Sequence, residues 1–98
     1  MIHSFADART ADLWEGKTTA RVRQVPPDVQ NRAFKKLIFI DAADELEDLR
    51  QPPSNRLEKL KGDRVEQYSI RVNDQWRICF EWEDGALGPS NVEIVDYH

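Results

Sequence analysis

From Val29 to Ile40 the apolar residues Val29, Ala33, Leu37 and Ile40 recur at steps of four, four and three, the spacing of one face of an α-helix. Phe34 and Ile38 are expected to widen that stripe, with Asn31, Arg32, Lys35 and Lys36 on the other side. Pro26 and Pro27 fit the start of this helix, because the first turn has no use for the N–H groups that proline lacks. From Tyr68 onward the period drops to two. Tyr68, Ile70 and Val72 alternate with Gln67, Ser69 and Arg71; after Asn73-Asp74-Gln75, Trp76, Ile78, Phe80 and Trp82 alternate with Arg77, Cys79 and Glu81. Two strands joined by a tight turn follow from that alternation.

Parity then selects the turn. A two-residue loop at Asn73-Asp74 sets Ile70 against Arg77 and mixes the two faces, whereas a one-residue change flips every side chain. A loop of Asn73 to Gln75 pairs Val72 with Trp76, Ile70 with Ile78 and Tyr68 with Phe80. It also places Arg71 directly opposite Arg77.

The remaining elements are shorter. Ile2 to Phe5 suits an edge strand, and Asp7 to Trp14 suits a helix stopped at Gly16, where glycine supplies a left-handed cap. Thr18 to Gln24 reads as a polar loop with Arg21 and Arg23 in solvent. Asp41 is positioned to cap a second helix whose apolar side is Ala43, Leu46 and Leu49, and the prolines after Arg50 end it. Arg56 to Arg64 reads as a loop anchored by Leu57 and Leu60, leaving Arg56, Lys59, Lys61 and Arg64 to meet an anion or simply water. Val92 to Tyr97 returns as a third strand; with Val92 beside Trp82, Tyr97 falls beside Arg77. The expected architecture is α+β, with N-terminal helices packed on one face of a small twisted antiparallel sheet and residues 1–98 forming one domain.

Composition adds three points. Hydrophobic residues at 40% and charged residues at 33% describe a globular chain without a membrane-length apolar run. Cys79 is the one cysteine, and the Met1-Ile2-His3-Ser4-Phe5 start lacks a basic, apolar signal, so a cytoplasmic setting is expected. The net charge of −4 is uneven: residues 1–55 carry −1, residues 56–79 carry +2 and residues 80–98 carry −5. The acidic run Asp41, Asp44, Glu45, Glu47 and Asp48 reads as a solvated helix face, because metal ligands must converge on one point; no metal or cofactor is expected.

The one basic segment therefore carries the candidate chemistry. Facing arginines on a sheet are unfavourable by up to about 1 kcal/mol. Either a nearby carboxylate, Glu81 or Glu66, offsets Arg71 and Arg77, or the pair awaits a phosphate, which guanidinium groups bind through paired hydrogen bonds. Return of the third strand brings Asp96, Tyr97 and His98 to the same end of the sheet. Imidazole exchanges a proton near neutral pH, and a tyrosine can stack on a base or donate from its hydroxyl. Arginines, a lysine, a tyrosine and a histidine suggest ribonuclease-type chemistry, in which a 2′-hydroxyl attacks the adjacent phosphorus.

Three motifs in order, Lys61-Gly62-Asp63-Arg64, Trp76-Arg77 and Asp96-Tyr97-His98, resemble those of HigB-type toxins of the RelE/ParE superfamily. Their surroundings, Arg56 to Lys61 and Tyr68 to Phe80, are also similar, as are Met1 to Phe5 and Glu15-Gly16-Lys17. The resemblance implies a metal-independent endoribonuclease that cuts mRNA in the ribosome and is neutralised by a helix-turn-helix antitoxin of the HigA kind, in a complex able to bind operator DNA. It assigns catalysis to Lys61, Arg77, Asp96, Tyr97 and His98; the other cations of the basic segment, Arg56, Lys59, Arg64 and Arg71, are the RNA-binding candidates. One departure stands out: a second basic position that some relatives hold before the Trp-Arg pair is Asn73 here, and Arg71 lies two residues earlier. The rival readings are a ParE-like inhibitor of gyrase and a non-catalytic interaction domain.

Overall fold

In a computed structural model, which describes residues 1–64 and 66–97, three helices precede a four-stranded antiparallel sheet. Helix α1 spans Ala8–Trp14, α2 Ala20–Arg23 and α3 Pro27–Ala42; strands β1 (Glu58–Lys59), β2 (Gln67–Arg71), β3 (Trp76–Glu81) and β4 (Ser90–Asp96) lie in that order across the sheet. The architecture is the expected α+β.

Local chemistry sets the helix ends. Asp7 Oδ1 accepts a hydrogen bond from Thr10 N at 2.9 Å to open α1, satisfying a first-turn donor that has no partner inside the helix. Gly16 takes φ +77° after α1, the left-handed conformation expected of it. The polar stretch after it is not a plain loop, because Thr19 caps a turn of helix and Asp12, 7% exposed, gathers both Thr19 Oγ1 at 3.0 Å and Arg21 Nε at 3.3 Å. Arg21 is therefore tied to α1, and Arg23 Nη1 donates to the Thr18 carbonyl at 2.9 Å.

Helix α3 begins with Pro27 in its first turn, as expected. Val29, Ala33, Leu37 and Ile40 are all buried and join Ile70, Ile78, Phe80, Val92 and Ile94 from the sheet in one core. Phe34 and Ile38, expected to widen the buried stripe, are 36% and 48% exposed. Asp41 remains inside α3 and accepts from Ile2 N at 2.8 Å, tying down the N-terminal segment. The turn that follows is a 3₁₀ segment, Leu46–Arg50, opened by Glu45 and Asp48: the Asp48 carboxylate accepts from the Asp44 and Glu45 amides at 3.0 and 3.1 Å.

The hairpin register matches parity. Tyr68 faces Phe80, Ile70 faces Ile78 and Arg71 faces Arg77, and Val72 N donates to Trp76 O at 2.9 Å. Asn73 Oδ1 closes the loop by accepting from the Gln75 and Trp76 amides at 2.8 and 2.7 Å, the local side-chain turn that suits asparagine. Within the stretch expected to be an anchored loop, Glu58 and Lys59 pair with Ser69 and Tyr68 as a short edge strand, while Leu57 and Leu60 are half-buried.

Strand β4 departs from expectation in alignment. It runs Ser90–Asp96 and sets Val95, not Tyr97, opposite Arg77, with an irregularity between Cys79 and Glu81. The slip of two residues preserves parity, so Tyr97 stays on the Arg77 face, and its amide continues the ladder to Gln75 O at 2.6 Å. Ile2 to Phe5 forms no regular strand; it joins β4 through one parallel bridge, Phe5 to Val92.

Candidate active site

Alternation along β2, β3 and β4 sends Ser69, Arg71, Arg77, Cys79, Glu93, Val95 and Tyr97 to the sheet face turned away from the helices. Arg77 is the fixed point there. Its Nε donates to Ser69 Oγ at 2.8 Å, its Nη2 donates to the Arg56 carbonyl at 2.8 Å, and the Glu58 carboxylate stands 3.9 Å away. Those two bonds use two of the five guanidinium N–H groups. The side chain is only 13% exposed, so this charge is far more ordered than a surface arginine. Its Cζ lies 6.0 Å from the centre of the Tyr97 ring, at the outer limit of a cation–π contact.

The acceptor at Arg56 depends on backbone shape. Arg56 adopts φ 47° and ψ 55°, a left-handed conformation held after the 3₁₀ turn Pro53–Asn55. Asn55, fully buried, donates through Nδ2 to the carbonyls of Leu49 and Gln51 at 3.2 and 3.1 Å. Lys36 donates to its side-chain oxygen. So a buried amide holds the loop whose next carbonyl holds Arg77.

Tyr97 and Cys79 complete the centre of this face, with the Tyr97 hydroxyl 3.8 Å from Cys79 Sγ. Burial pushes the Cys79 thiol above its ordinary range, against the lowering effect of the Tyr97 hydrogen bond and of Arg64. Burial and the thiol likewise raise the Tyr97 hydroxyl. Both groups are protonated at neutral pH, and Tyr97 can act there as a hydrogen-bond donor or a stacking surface, not as an anionic base. Arg64 closes one side: its Nη1 contacts Gln67 Oε1 and Glu93 Oε1, each at 3.1 Å.

The facing arginines do not share one anion; they diverge. Arg71 pairs with Asp74 and leans toward Arg32, Lys35 and Lys36 of α3, whereas Arg77 leans toward β1 and Tyr97. Glu81, one of the carboxylates expected to offset them, instead accepts from Asn91 Nδ2 at 2.8 Å. Among the described residues no three His, Cys, Asp or Glu side chains converge as a metal-binding group.

The HigB-like toxin family model, described as the RelE-like toxin of the type II toxin-antitoxin system HigB, matches residues 3–98. The chain belongs to this family. The HigB-like toxin is 48% identical over 66 residues to Toxin HigB-1 of Vibrio cholerae, covering 67% of this chain and 70% of the relative. It is 36% identical over 98 residues to Endoribonuclease HigB of Proteus vulgaris, with 100% of each chain covered. Its fold is similar to that of a YoeB-YefM complex from Staphylococcus aureus at a TM-score of 0.56 and 16% identity, covering 100% of this chain and 98% of that one. The protein is thus a toxin of a type II toxin-antitoxin system with an antitoxin as its partner. None of its described helices is long and apolar enough to cross a membrane.

Of the residues singled out in the sequence, this HigB-like toxin brings Arg77, Tyr97 and Arg64 together on one face. Lys61 is exposed in the loop before the 3₁₀ turn Gly62–Arg64, and Lys59 is exposed with the register parity of Tyr68, on the other side of the strand. Arg56 contributes its carbonyl. Asp96 sits opposite Trp76 on the helix side and accepts from Gln75 Nε2 at 3.0 Å, so its side chain and that of Arg77 have opposite parity. His98 lies outside the described residues. Sequence reasoning passed over Ser69, Glu58, Cys79 and Glu93. Ser69 and Cys79 share the parity of Arg77 and were visible by that signal; Glu93 and Glu58 depend on the β4 and β1 registers, which alternation alone does not specify.

Proposed function

We propose that this HigB-like toxin is an endoribonuclease that cuts mRNA on the translating ribosome, with Arg77 at the scissile phosphate. The observation that carries the reading is the anchored, nearly enclosed guanidinium of Arg77 beside Tyr97 on the outer sheet face. The full-length similarity to a relative named as an endoribonuclease supports it.

In the proposed reaction a base takes the proton of the 2′-hydroxyl, the 2′-oxygen bonds to phosphorus, and the 5′-oxygen of the next nucleotide leaves and takes up a proton. The products are a 2′,3′-cyclic phosphate and a 5′-hydroxyl end. Negative charge grows on the non-bridging oxygens, and Arg77, fixed before substrate arrives, stabilises it without rearrangement. Lys61 and Arg64 add positive charge along the strand. Tyr97, neutral and partly exposed, stacks on or donates to the nucleotide. His98 is the general acid or base. Asp96 serves by joining the end of β4 to Gln75 rather than by touching RNA.

The setting we propose is the cytoplasm, with residues 1–98 acting as one domain and a helix-turn-helix antitoxin as the neutralising partner, in a complex that binds operator DNA. An overall charge of −4 is compatible with this, because the ribosome supplies docking surface beyond the local basic face. The test is induction in bacteria with mapping of mRNA 5′ ends. Wild type should produce cuts inside translated codons; Arg77→Ala should lower cleavage by about 10²–10³-fold, the loss typical of one transition-state donor, and His98→Ala by about 10²–10⁴-fold, the contribution of a general acid or base. Growth arrest by Arg77→Ala equal to that of wild type would remove Arg77 from the mechanism, and gyrase cleavage complexes with intact mRNA would replace the activity itself.

A further inference from the structure

Between helix α3, the 3₁₀ turn Pro53–Asn55 and the end of β2 lies an open pocket of about 510 Å³, a volume ordinary for a small-molecule site. Arg32, Lys35, Lys36 and Phe39 occupy the i, i+3, i+4 and i+7 positions of α3, a single ridge of the helix, and make one wall of it. Arg71 and Ser54 line it from β2 and from the turn. Four cations therefore border one cavity.

Little negative charge balances them. Among the described residues no carboxylate forms an ion pair with Arg32, Lys35 or Lys36, and Arg71 is paired only with Asp74, whose side chain is 98% exposed in the hairpin loop. Lys36 is half-buried and donates to the side-chain oxygen of Asn55, which fixes its ammonium group. Burial lowers its pKa below the usual lysine range, and Arg32 and then Arg71 lower it further, so the charges that reach it are cations. The chain has 18 acidic residues against 14 basic ones, so this cluster does not arise from a shortage of acids.

We propose that this pocket is a nucleotide site, which takes the polyphosphate of a nucleoside di- or triphosphate among Arg32, Lys35, Lys36 and Arg71 and stacks the base on Phe39. Charge density decides between this ligand and a strand of RNA. A strand carries one charge per nucleotide along an extended backbone, so about one or two fall within a pocket of this size. A polyphosphate concentrates charge, its terminal group alone carrying about 1.5–2 negative charges near neutral pH. Guanidinium groups bind such oxygens through paired hydrogen bonds, and Ser54 adds a hydroxyl donor. Phe39, 37% exposed, offers the aromatic face on which any base can stack. Bound there, the ligand links α3 to β2 and to the Pro53–Asn55 turn, and so stabilises the fold. Arg71 diverges from Arg77, so the site is distinct from the Arg77 anchors, and the inference does not depend on the nuclease reading.

The test is calorimetric titration of the purified full chain with ATP, with inorganic triphosphate and with a short 2′-O-methyl oligoribonucleotide that cannot be cleaved, in magnesium-free buffer at low and raised salt. The parent should bind ATP with a Kd of about 1 mM or lower, more tightly than it binds triphosphate, and its melting temperature should rise with ATP. Arg32→Gln combined with Lys35→Gln, both at exposed positions, should weaken both anions by about tenfold or more and flatten the salt dependence. Phe39→Ala should weaken ATP by about fivefold or more and leave triphosphate within about twofold. Arg77→Ala should keep the parent's ATP affinity. Thermal unfolding without ligand checks that each variant is folded, and the double variant alone suffices if Phe39→Ala unfolds. Absence of saturable ATP binding by the parent overturns the proposal, as does ATP affinity within about twofold of the parent in the double variant. Loss of ATP binding in Arg77→Ala but not in the double variant also overturns it and moves the ligand to the catalytic face. Loss of oligoribonucleotide binding in the double variant with ATP affinity kept overturns it and gives the pocket to RNA.

Discussion

Asn55→Ala is the substitution that most directly connects the packing of this toxin to its candidate site. Asn55 is fully buried, and its Nδ2 is the donor for two main-chain carbonyls, Leu49 at 3.2 Å and Gln51 at 3.1 Å, while its oxygen accepts from Lys36. Alanine keeps the backbone bonds Asn55 N to Pro52 O and Arg56 N to Pro53 O but removes all three side-chain links. A typical internal hydrogen bond contributes about 1 kcal/mol net, and a buried carbonyl left without a donor costs more. Three links give a loss of about 3 kcal/mol, out of the roughly 5–15 kcal/mol that holds a domain folded. For a chain of this size that lowers the melting temperature by about 12–24 °C.

Thermal and urea unfolding of the purified toxin measure the loss. Asn55→Asp separates the contributions, because a carboxylate still accepts from Lys36 yet presents oxygen to the Leu49 and Gln51 carbonyls. Asp should therefore destabilise at least as much as Ala at neutral pH. A melting temperature within about 2 °C of the parent for Asn55→Asp would mean that the carbonyl links contribute little, and the reasoning would fail. The same variants report on the site. With the Arg56 carbonyl no longer held, Arg77 loses one of its two anchors, so activity measured well below the melting temperature should fall along with stability.

Two further outcomes follow from the same interior. Thr10→Val keeps the volume of a fully buried side chain but removes the Oγ1 acceptor of Ile94 N at 3.0 Å; leaving that amide unpaired should cost about 1–3 kcal/mol, read as a lowered urea midpoint. Cys79 has its thiol raised by burial, so the folded state holds its proton more tightly than the unfolded chain does. Stability from this source is complete below the ordinary thiol range of about 8.5 and is lost as pH rises above it. The urea midpoint should fall above about pH 8.5, and the slope should lessen in Cys79→Ala, where no thiol titrates; an unchanged slope would place the effect elsewhere.

How much was legible in the sequence differs element by element, for physical reasons. The β2–β3 hairpin was readable to the residue because only one loop length keeps Tyr68, Ile70 and Val72 on the face of Phe80, Ile78 and Trp76. The core stripe of α3 was readable because period and proline agree. Periodicity assigns a residue to a side of a helix but not the width that neighbours cover, which is why Phe34 and Ile38 looked like core. The β4 register was illegible because the connection after Glu81 carries no parity constraint and an irregularity between Cys79 and Glu81 shifts the pairing. Asp41, the expected cap of the segment after α3, instead stays in α3 and accepts from the Ile2 amide, a long-range contact no local rule contains, and Glu45 opens that segment.

The facing arginines show where pattern stops and packing begins. Register put Arg71 opposite Arg77, and that was correct, but equal positions on a sheet gave unequal environments. Arg77 looks inward across β2 to Ser69 and the Arg56 carbonyl, so its charge is held and its geometry is set before any ligand arrives. Arg71 looks outward past the hairpin turn to Asp74 and the cations of α3, so it belongs to the edge of a second surface. Repulsion between the two is relieved by divergence rather than by a shared anion. A consequence distinguishes them in one experiment: Arg77→Lys keeps the charge but cannot bridge Ser69 and Arg56 with a planar fork, and should lose most of the proposed cleavage activity. Arg71→Lys keeps the one contact its partner Asp74 needs and should retain nearly all of it. Equal losses in a single-turnover cleavage assay would mean that the two arginines act as one site after all.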